Sequence, residues 1–304
     1  MIKYYQSLDP KVQGAIIGGF FSLVIFFLGW VFKIVYDRYS LSFKLKREFQ
    51  FEQKKSIKQE IAKTKTPLLN VSEELNYRLW NFIPNIDENW HSIEETEWVE
   101  EKHYYLRSFV YRLIIFIFWI LETEKSLIHF DSTVADKKDL DYIKYIKTFK
   151  NIFCDILLLK DLDYPNDATT NHFYKNDLPR YAEYIRGENG ETIDFDSFYS
   201  KTKDDYSKIK KVFLYINEIE NKPENKNLNV LRCFHLLLIQ FLTEYGHDYQ
   251  KTDKSKTKKL IKDHYHSIKI KTAFEYFLIR NKLEAEMKGI LRKLKKVPNE
   301  TYKQ

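Results

Sequence analysis

"VQGAIIGGFFSLVIFFLGWVF", residues 12 to 32, holds no charged side chain. As a helix it extends roughly 30 Å, at about 1.5 Å per residue, which matches the hydrocarbon core of a bilayer. We read a transmembrane helix over residues 12–36, with Trp30 and Tyr36 at one interface and Tyr4 and Tyr5 at the other. The rival reading is a cleaved signal peptide. That would need a shorter apolar core and a small-x-small cleavage site, and neither is evident.

Orientation follows from the flanking charges. Lys3 and Lys11 precede the segment, whereas Lys33, Arg38, Lys44, Lys46, Arg47, Lys54, Lys55 and Lys58 follow it. Basic residues stay on the cytoplasmic side. The expectation is therefore a single-pass inner-membrane protein with residues 1–11 outside and its main body in the cytoplasm. Gly14 and Gly18 form a G-x-x-x-G pair that would let two such helices approach closely and form a homo-oligomer. Chance small residues in an anchor explain it equally well.

Two other apolar runs test whether there is one span or more. "LIIFIFWIL", residues 113 to 121, is short and follows Arg107 and Arg112. "CFHLLLIQFL", residues 233 to 242, is also short and includes His235 and Gln240. Neither crosses a bilayer, so both are read as buried core helices.

Composition agrees with a helical body. Apolar residues make up 44% of the 304 residues, enough for a core, and only 8 Gly and 7 Pro are present to make tight turns. The surplus of Lys, Asn, Ile, Tyr and Phe also fits an AT-rich bacterial genome, which weakens any argument from lysine abundance alone. Cys154 and Cys233 lie in apolar helical runs and are read as small buried hydrophobes. Two such residues build neither a disulfide framework nor a thiolate metal centre, in keeping with a reducing cytosolic setting.

Beyond the anchor, residues 37–64 read as a charged juxtamembrane helix or stalk with a narrow stripe of Leu41, Leu45, Phe49, Ile57 and Ile61. Pro67 marks a break, or the first turn of the next helix. On that next helix Leu68, Val71, Leu75, Leu79 and Phe82 share a face, and Glu74 stands four residues before Arg78, the favourable order for an ion pair. Pro84 ends the helix, and an acidic segment runs from Asp87 to Glu101. A deeply buried helix occupies 102–130, and another runs from Tyr142 to Leu159, with Ile156 and Leu157 on its apolar side. Turn formers dominate 160–200. Helices from Phe198 to Glu220, Leu228 to Tyr245 and Ala273 to Lys295 complete the chain. The expected fold is all-α: an anchor, then a cytoplasmic helical bundle over 65–297 with an irregular insertion near 160–200.

No catalytic, metal or cofactor constellation is complete. The chain contains no glycine-rich phosphate loop, no G-x-S-x-G and no H-E-x-x-H. "RNKLEAEMKG", from Arg280, begins like the motif of HEPN-type ribonucleases but lacks its His. In "DHYHS", Asp263 to Ser267, the two His at i and i+2 diverge on a helix, so a solvated turn is favoured over a metal site. His247 and Asp248 stand at a helix end after Gly246, and His235 reads as a core histidine. The chain therefore leans away from an enzyme, and no cofactor is implied.

Positive charge gathers near the C-terminus, where residues 251–296 hold 15 basic and 5 acidic side chains. Lys254, Lys256, Lys258, Lys259, Lys262, Lys269 and Lys271 are the candidate basic surface. Three readings compete: a solvated helix face, an anionic lipid surface worth about 1 kcal/mol per well-placed base, and nucleic acid.

"PLLNVSEELNYRLWNF" followed, after a spacer, by "YLRSFVYRLIIFIFWILETEKSLIHFD" resembles an uncharacterised group of bacterial helical proteins. The outline, over residues 66–131, rests on Pro67, Leu68, Leu69, Leu75, Arg78, Tyr104, Ser108, Arg112, Trp119 and Asp131. The resemblance implies a helical hairpin and brings no assigned activity. Arg78 and Arg112 are the candidate functional residues within it. The expected function is a membrane-anchored interaction or scaffold protein with a protein partner. The alternatives are a phage-defence effector or sensor at the membrane, and a nucleic-acid-binding protein using the basic C-terminal region.

Overall fold

A computed structural model describes residues 9–128, 134–162, 164, 170–265 and 269–296. Lys3, Tyr4, Tyr5, Asp131, His266 and Ser267 lie outside the described residues, as do parts of the turn-rich stretch after Asp161. The chain is all-α: 80% of it is helical. Among the described residues the only bridge of β type is the isolated pair Arg186 and Thr192.

The chain divides into two units, residues 1–56 and 57–304. The first helix, α1 (Pro10–Phe82), enters both. In the first unit its apolar side chains have no protein cover: Phe20 is 65% exposed and Phe32 is 72% exposed. Leu41, Leu45 and Phe49 are exposed as well, so the stripe expected there packs on nothing in that unit. The segment is long and apolar enough to cross a membrane, and none of its most apolar stretch is buried. Helix α2 (Tyr104–Leu127) is also long and apolar enough to cross a membrane, but most of its apolar stretch is buried, which makes it a core helix.

The second unit begins at Ile57 and has a core of its own. Ile57, Ile61, Leu68, Leu75, Leu79 and Phe82 are buried along one face of α1, at the spacing expected from the sequence. Pro67 lies inside this helix and does not break it. A proline in a helix interior loses a backbone hydrogen bond and costs about 3 kcal/mol. Buried apolar residues on both sides of it, Ile61 before and Leu68 and Leu69 after, hold the helix through the defect. After Phe82 a 3₁₀ turn over Ile83–Glu88, with Pro84 in its first turn, ends α1 as expected.

Helix α2 is the centre of the unit. It packs on α3 (Lys137–Ile152), α4 (Asp177–Ile185), α5 (Phe195–Asp204) and α6 (Lys210–Asn217). That many neighbours require an apolar surface nearly all round, which "LIIFIFWIL" supplies. Helix α7 (Lys226–Tyr245) is equally enclosed. Asn225 caps it by accepting from the Leu228 N–H at 2.8 Å. Gly246 ends it, where a Cβ would lie 2.5 Å from the Leu242 carbonyl oxygen, so only glycine fits. Helices α8 (Lys254–His264), α9 (Lys271–Arg280) and α10 (Glu284–Lys295) close the unit.

Several expected boundaries are corrected. The helix read from Tyr142 to Leu159 runs from Lys137 to Ile152. A 3₁₀ stretch over Ile156–Leu162 follows, in which Leu158 and Leu159 are buried while Ile156 and Leu157 face out. The helix read from Phe198 to Glu220 is two helices, α5 and α6, joined by a 3₁₀ turn over Ser207–Ile209. The helix read from Ala273 to Lys295 is broken at Lys282, which adopts φ 56°, and the Leu283 N–H returns to the Leu278 carbonyl at 2.9 Å. No glycine or proline marks that break, so the pattern ran straight through it. Helix α8 lies where no helix was read.

Candidate functional site

Arg78 and Arg112 come from different helices and meet at one serine. Arg78 lies on α1 and Arg112 on α2, and both are half-buried. Arg78 Nη2 donates to Ser108 Oγ at 2.7 Å, and Arg112 Nη1 donates to the Ser108 carbonyl oxygen at 3.0 Å. Ser108 itself is buried and donates to the Tyr105 carbonyl oxygen at 3.1 Å. The Arg78 guanidinium also lies over the Tyr105 ring, 4.4 Å from its centroid, and Tyr105 donates to Asn81 Oδ1 at 2.9 Å. Serine, tyrosine and asparagine thus orient the arginines without neutralising them.

The expected Glu74–Arg78 pair is replaced by a contact across the helices. Glu74 Oε2 stands 3.9 Å from Arg112 Nε, with the Glu74 side chain 61% exposed. Such a long and solvated pair is worth at most about 1 kcal/mol. Glu73, Glu74, Tyr77, Arg78, Asn81 and Arg112 line one open groove, and Tyr77 is 80% exposed. Two forked cations and one exposed aromatic ring on a rigid two-helix wall can receive a carboxylate or phosphate by paired hydrogen bonds.

The sequence reading missed Arg107. It is buried, donates from Nη1 to the Val99 carbonyl at 3.2 Å and from Nη2 to the Glu101 carbonyl at 2.9 Å, and lies 4.0 Å from the Tyr199 ring centroid. It fastens the acidic segment to α2 and α5, a structural duty. Glu97, Glu100 and His103 of that segment converge within 4.8 Å. The Lys102 ammonium already bridges Glu97 at 2.9 Å and Glu100 at 3.0 Å, so the cluster is an ion-pair network with its cation built in.

The histidines serve the fold. His235 is fully buried, with Tyr265 OH at 2.6 Å from Nδ1 and Asn76 Oδ1 at 3.1 Å from Nε2, and burial pushes its pKa down to about 3. His91 Nε2 donates to the Ile219 carbonyl at 2.7 Å. His247 caps a 3₁₀ turn, its N–H donating to Gln250 Oε1 at 2.9 Å. Cys233 is buried as expected, and Cys154 sits half-buried one residue past the α3 cap.

The seven candidate lysines do not form one surface. Lys254, Lys256, Lys258, Lys259 and Lys262 project from the exposed side of α8, whose other side buries Thr257, Leu260 and Ile261. Lys269 is exposed, its backbone N–H held by Asn229 Oδ1 at 2.9 Å, and Lys271 is half-buried with its pKa lowered by desolvation. Lys254 lines a cleft shared with α7 and α10. No protein-family model, curated protein or solved structure matches this chain.

Proposed function

We propose that this protein is a membrane-anchored interaction module. Its first helix holds it in the inner membrane with the N-terminus outside, and its helical body meets a protein partner in the cytoplasm. The observation that supports this most is the arginine groove. Arg78 and Arg112 are brought together by Ser108, contribute little to stability through the Glu74 pair, and line an open groove. Cations oriented by neutral oxygens, with only a long, solvated contact to Glu74, suit a partner's acidic group, with Tyr77 as the adjoining contact. The basic residues after the apolar segment support the orientation.

Two experiments test the two halves. Alkaline extraction should leave the full-length protein in membranes, and a fluorescent reporter at the C-terminus should mature in the cytoplasm. Release by alkali would sink the anchor. In-cell crosslinking from a photoreactive residue at Tyr77 should yield a discrete adduct that Arg78→Gln with Arg112→Gln abolishes at unchanged abundance. Adducts that persist in the double variant would remove the groove from the interface.

A further inference from the structure

A second cleft, separate from the arginine groove, lies among α7, α8 and α10. It encloses about 460 Å³, within the range of small-molecule sites. Lys254 enters it from α8, and Arg292, Lys293 and Lys296 enter it from α10 and its cap. Lys258 is close enough to act on Lys293, whose ammonium is disfavoured by burial and then by Lys254 and Lys258. Cations crowded in this way repel one another at a cost in folding stability.

The lining cations outnumber the acidic side chains among the described residues. Among the described residues no carboxylate lies within 4.0 Å of the amino groups of Lys254, Lys258, Lys293 or Lys296, or of the Arg292 guanidinium. Glu286 is the one acidic lining residue; its carboxylate stands 3.8 Å from Lys144 of α3, which Asp141 holds at 2.7 Å, so one negative charge stands against the four cations. The neighbouring Lys295, on another side of α10, is compensated by Glu275 at 2.7 Å. Lysines elsewhere in the unit are paired likewise, Lys150 with Glu124 at 2.6 Å and Lys210 with Glu95 at 2.6 Å. What sets this cleft apart is that several such cations line one cavity and act on one another.

The shape also fits a small ligand. Gly289 lies on the wall, and a Cβ built there would meet nothing within 4 Å, so the space belongs to the cleft. Ile239 and Ile290 add apolar wall beside the cations. A single carboxylate needs one or two donors, whereas four cations match several phosphate oxygens at once. No aromatic side chain is among the lining residues, so the stacking platform of single-strand binders is missing.

We propose that this cleft binds a small anion carrying two or more phosphate groups, held by Lys254, Arg292, Lys293 and Lys296. The chemistry is shared by a soluble polyphosphate or nucleotide and by a multiply phosphorylated lipid headgroup. The inference does not depend on the partner-binding role of the arginine groove.

The test uses the full-length protein in phosphatidylcholine nanodiscs at physiological salt. The probes are inorganic tripolyphosphate, ATP, dioctanoyl phosphatidylinositol bisphosphate and a single-stranded DNA oligonucleotide, each titrated by calorimetry. At least one of the first three should bind, and Lys254→Gln with Lys293→Gln should weaken it at least about tenfold, the loss expected from removing charge-assisted bonds. Gly289→Leu removes no charge yet should also weaken binding by intruding into the cleft, while Lys256→Gln, outside it, should leave the affinity unchanged. Tighter binding of tripolyphosphate or ATP assigns a soluble ligand, and tighter binding of the lipid assigns a headgroup. Thermal unfolding of each variant separates lost binding from lost folding. The proposal is overturned if none of the three phosphates binds, if only the oligonucleotide binds, or if folded Gly289→Leu binds as well as the parent.

Discussion

The His235 imidazole and the Tyr265 hydroxyl face each other at 2.6 Å, both fully buried. Asn76 Oδ1, 3.1 Å from Nε2, accepts only, so Nε2 carries the proton and Nδ1 accepts from Tyr265. One neutral tautomer thus ties α1 to α7 and to the residue that ends α8. His235→Ala would leave both partners unsatisfied and open a cavity, and should cost about 3 kcal/mol or more. Tyr265→Phe, which removes one donor, should cost about 1–3 kcal/mol. Denaturant unfolding measures both, and an His235→Ala protein as stable as the parent would refute the network.

The same histidine sets a pH dependence. In the unfolded chain it titrates near its ordinary 6.5, and in the fold burial holds it at about 3. Between those values the unfolded chain binds a proton that the folded chain does not, so its contribution is complete above pH ~6.5 and is lost on acidification at up to about 1.4 kcal/mol per pH unit. His91 and His172 are lowered too, chiefly by burial, and act in the same direction. Melting temperature should therefore fall from pH 7 towards pH 5, and more shallowly in a folded His235→Gln variant. A flat profile would contradict neutral buried histidines.

Arg107 and Arg112, little more than one turn apart, should behave as opposites. Arg107→Met strands two part-buried carbonyl acceptors and should cost about 3 kcal/mol, from lost bonds worth about 1.5–3 kcal/mol each. Arg112→Gln gives up a solvated pair and one hydrogen bond to the Ser108 carbonyl, and should cost no more than about 2 kcal/mol. Thermal melts of both variants decide the matter. A large loss on Arg112→Gln would make it structural and weaken its place in the groove.

Pro67→Ala should stabilise the protein by about 1–3 kcal/mol, because it restores a missing backbone bond within α1. Unfolding of the variant beside the parent provides the check. A loss of stability would show that the proline ring contributes packing that exceeds the recovered bond.

The thiols should be slow to react. Burial pushes Cys154 up to about 11 and holds Cys233 well above the ordinary thiol range. A thiol reagent at pH 8 should label neither promptly until denaturant is added. Rapid labelling of the native protein would contradict the packing around them.

The helical class, the apolar segment and the buried core helices were legible in the sequence, because long uncharged runs and three-to-four spacing follow from local composition. Leu68, Leu75, Leu79 and Phe82 are buried where their spacing placed them. Arg78 and Arg112 were legible as candidates, though not as neighbours. Their joint hold on Ser108 belongs to two helices and has no trace in either alone.

Only the tertiary structure decided the rest. Packing on both sides overrides the helix-breaking tendency of Pro67, and a backbone reversal at Lys282 needs no glycine when Leu283 is pinned in the core. A charge count located the basic excess, but only the approach of α8 to α10 sets Lys254 beside Lys293 while Glu275 removes Lys295 from the set. Composition records how many charges a chain carries. Which of them remain uncompensated depends on distances between segments far apart in sequence, and those distances exist only once the core has closed.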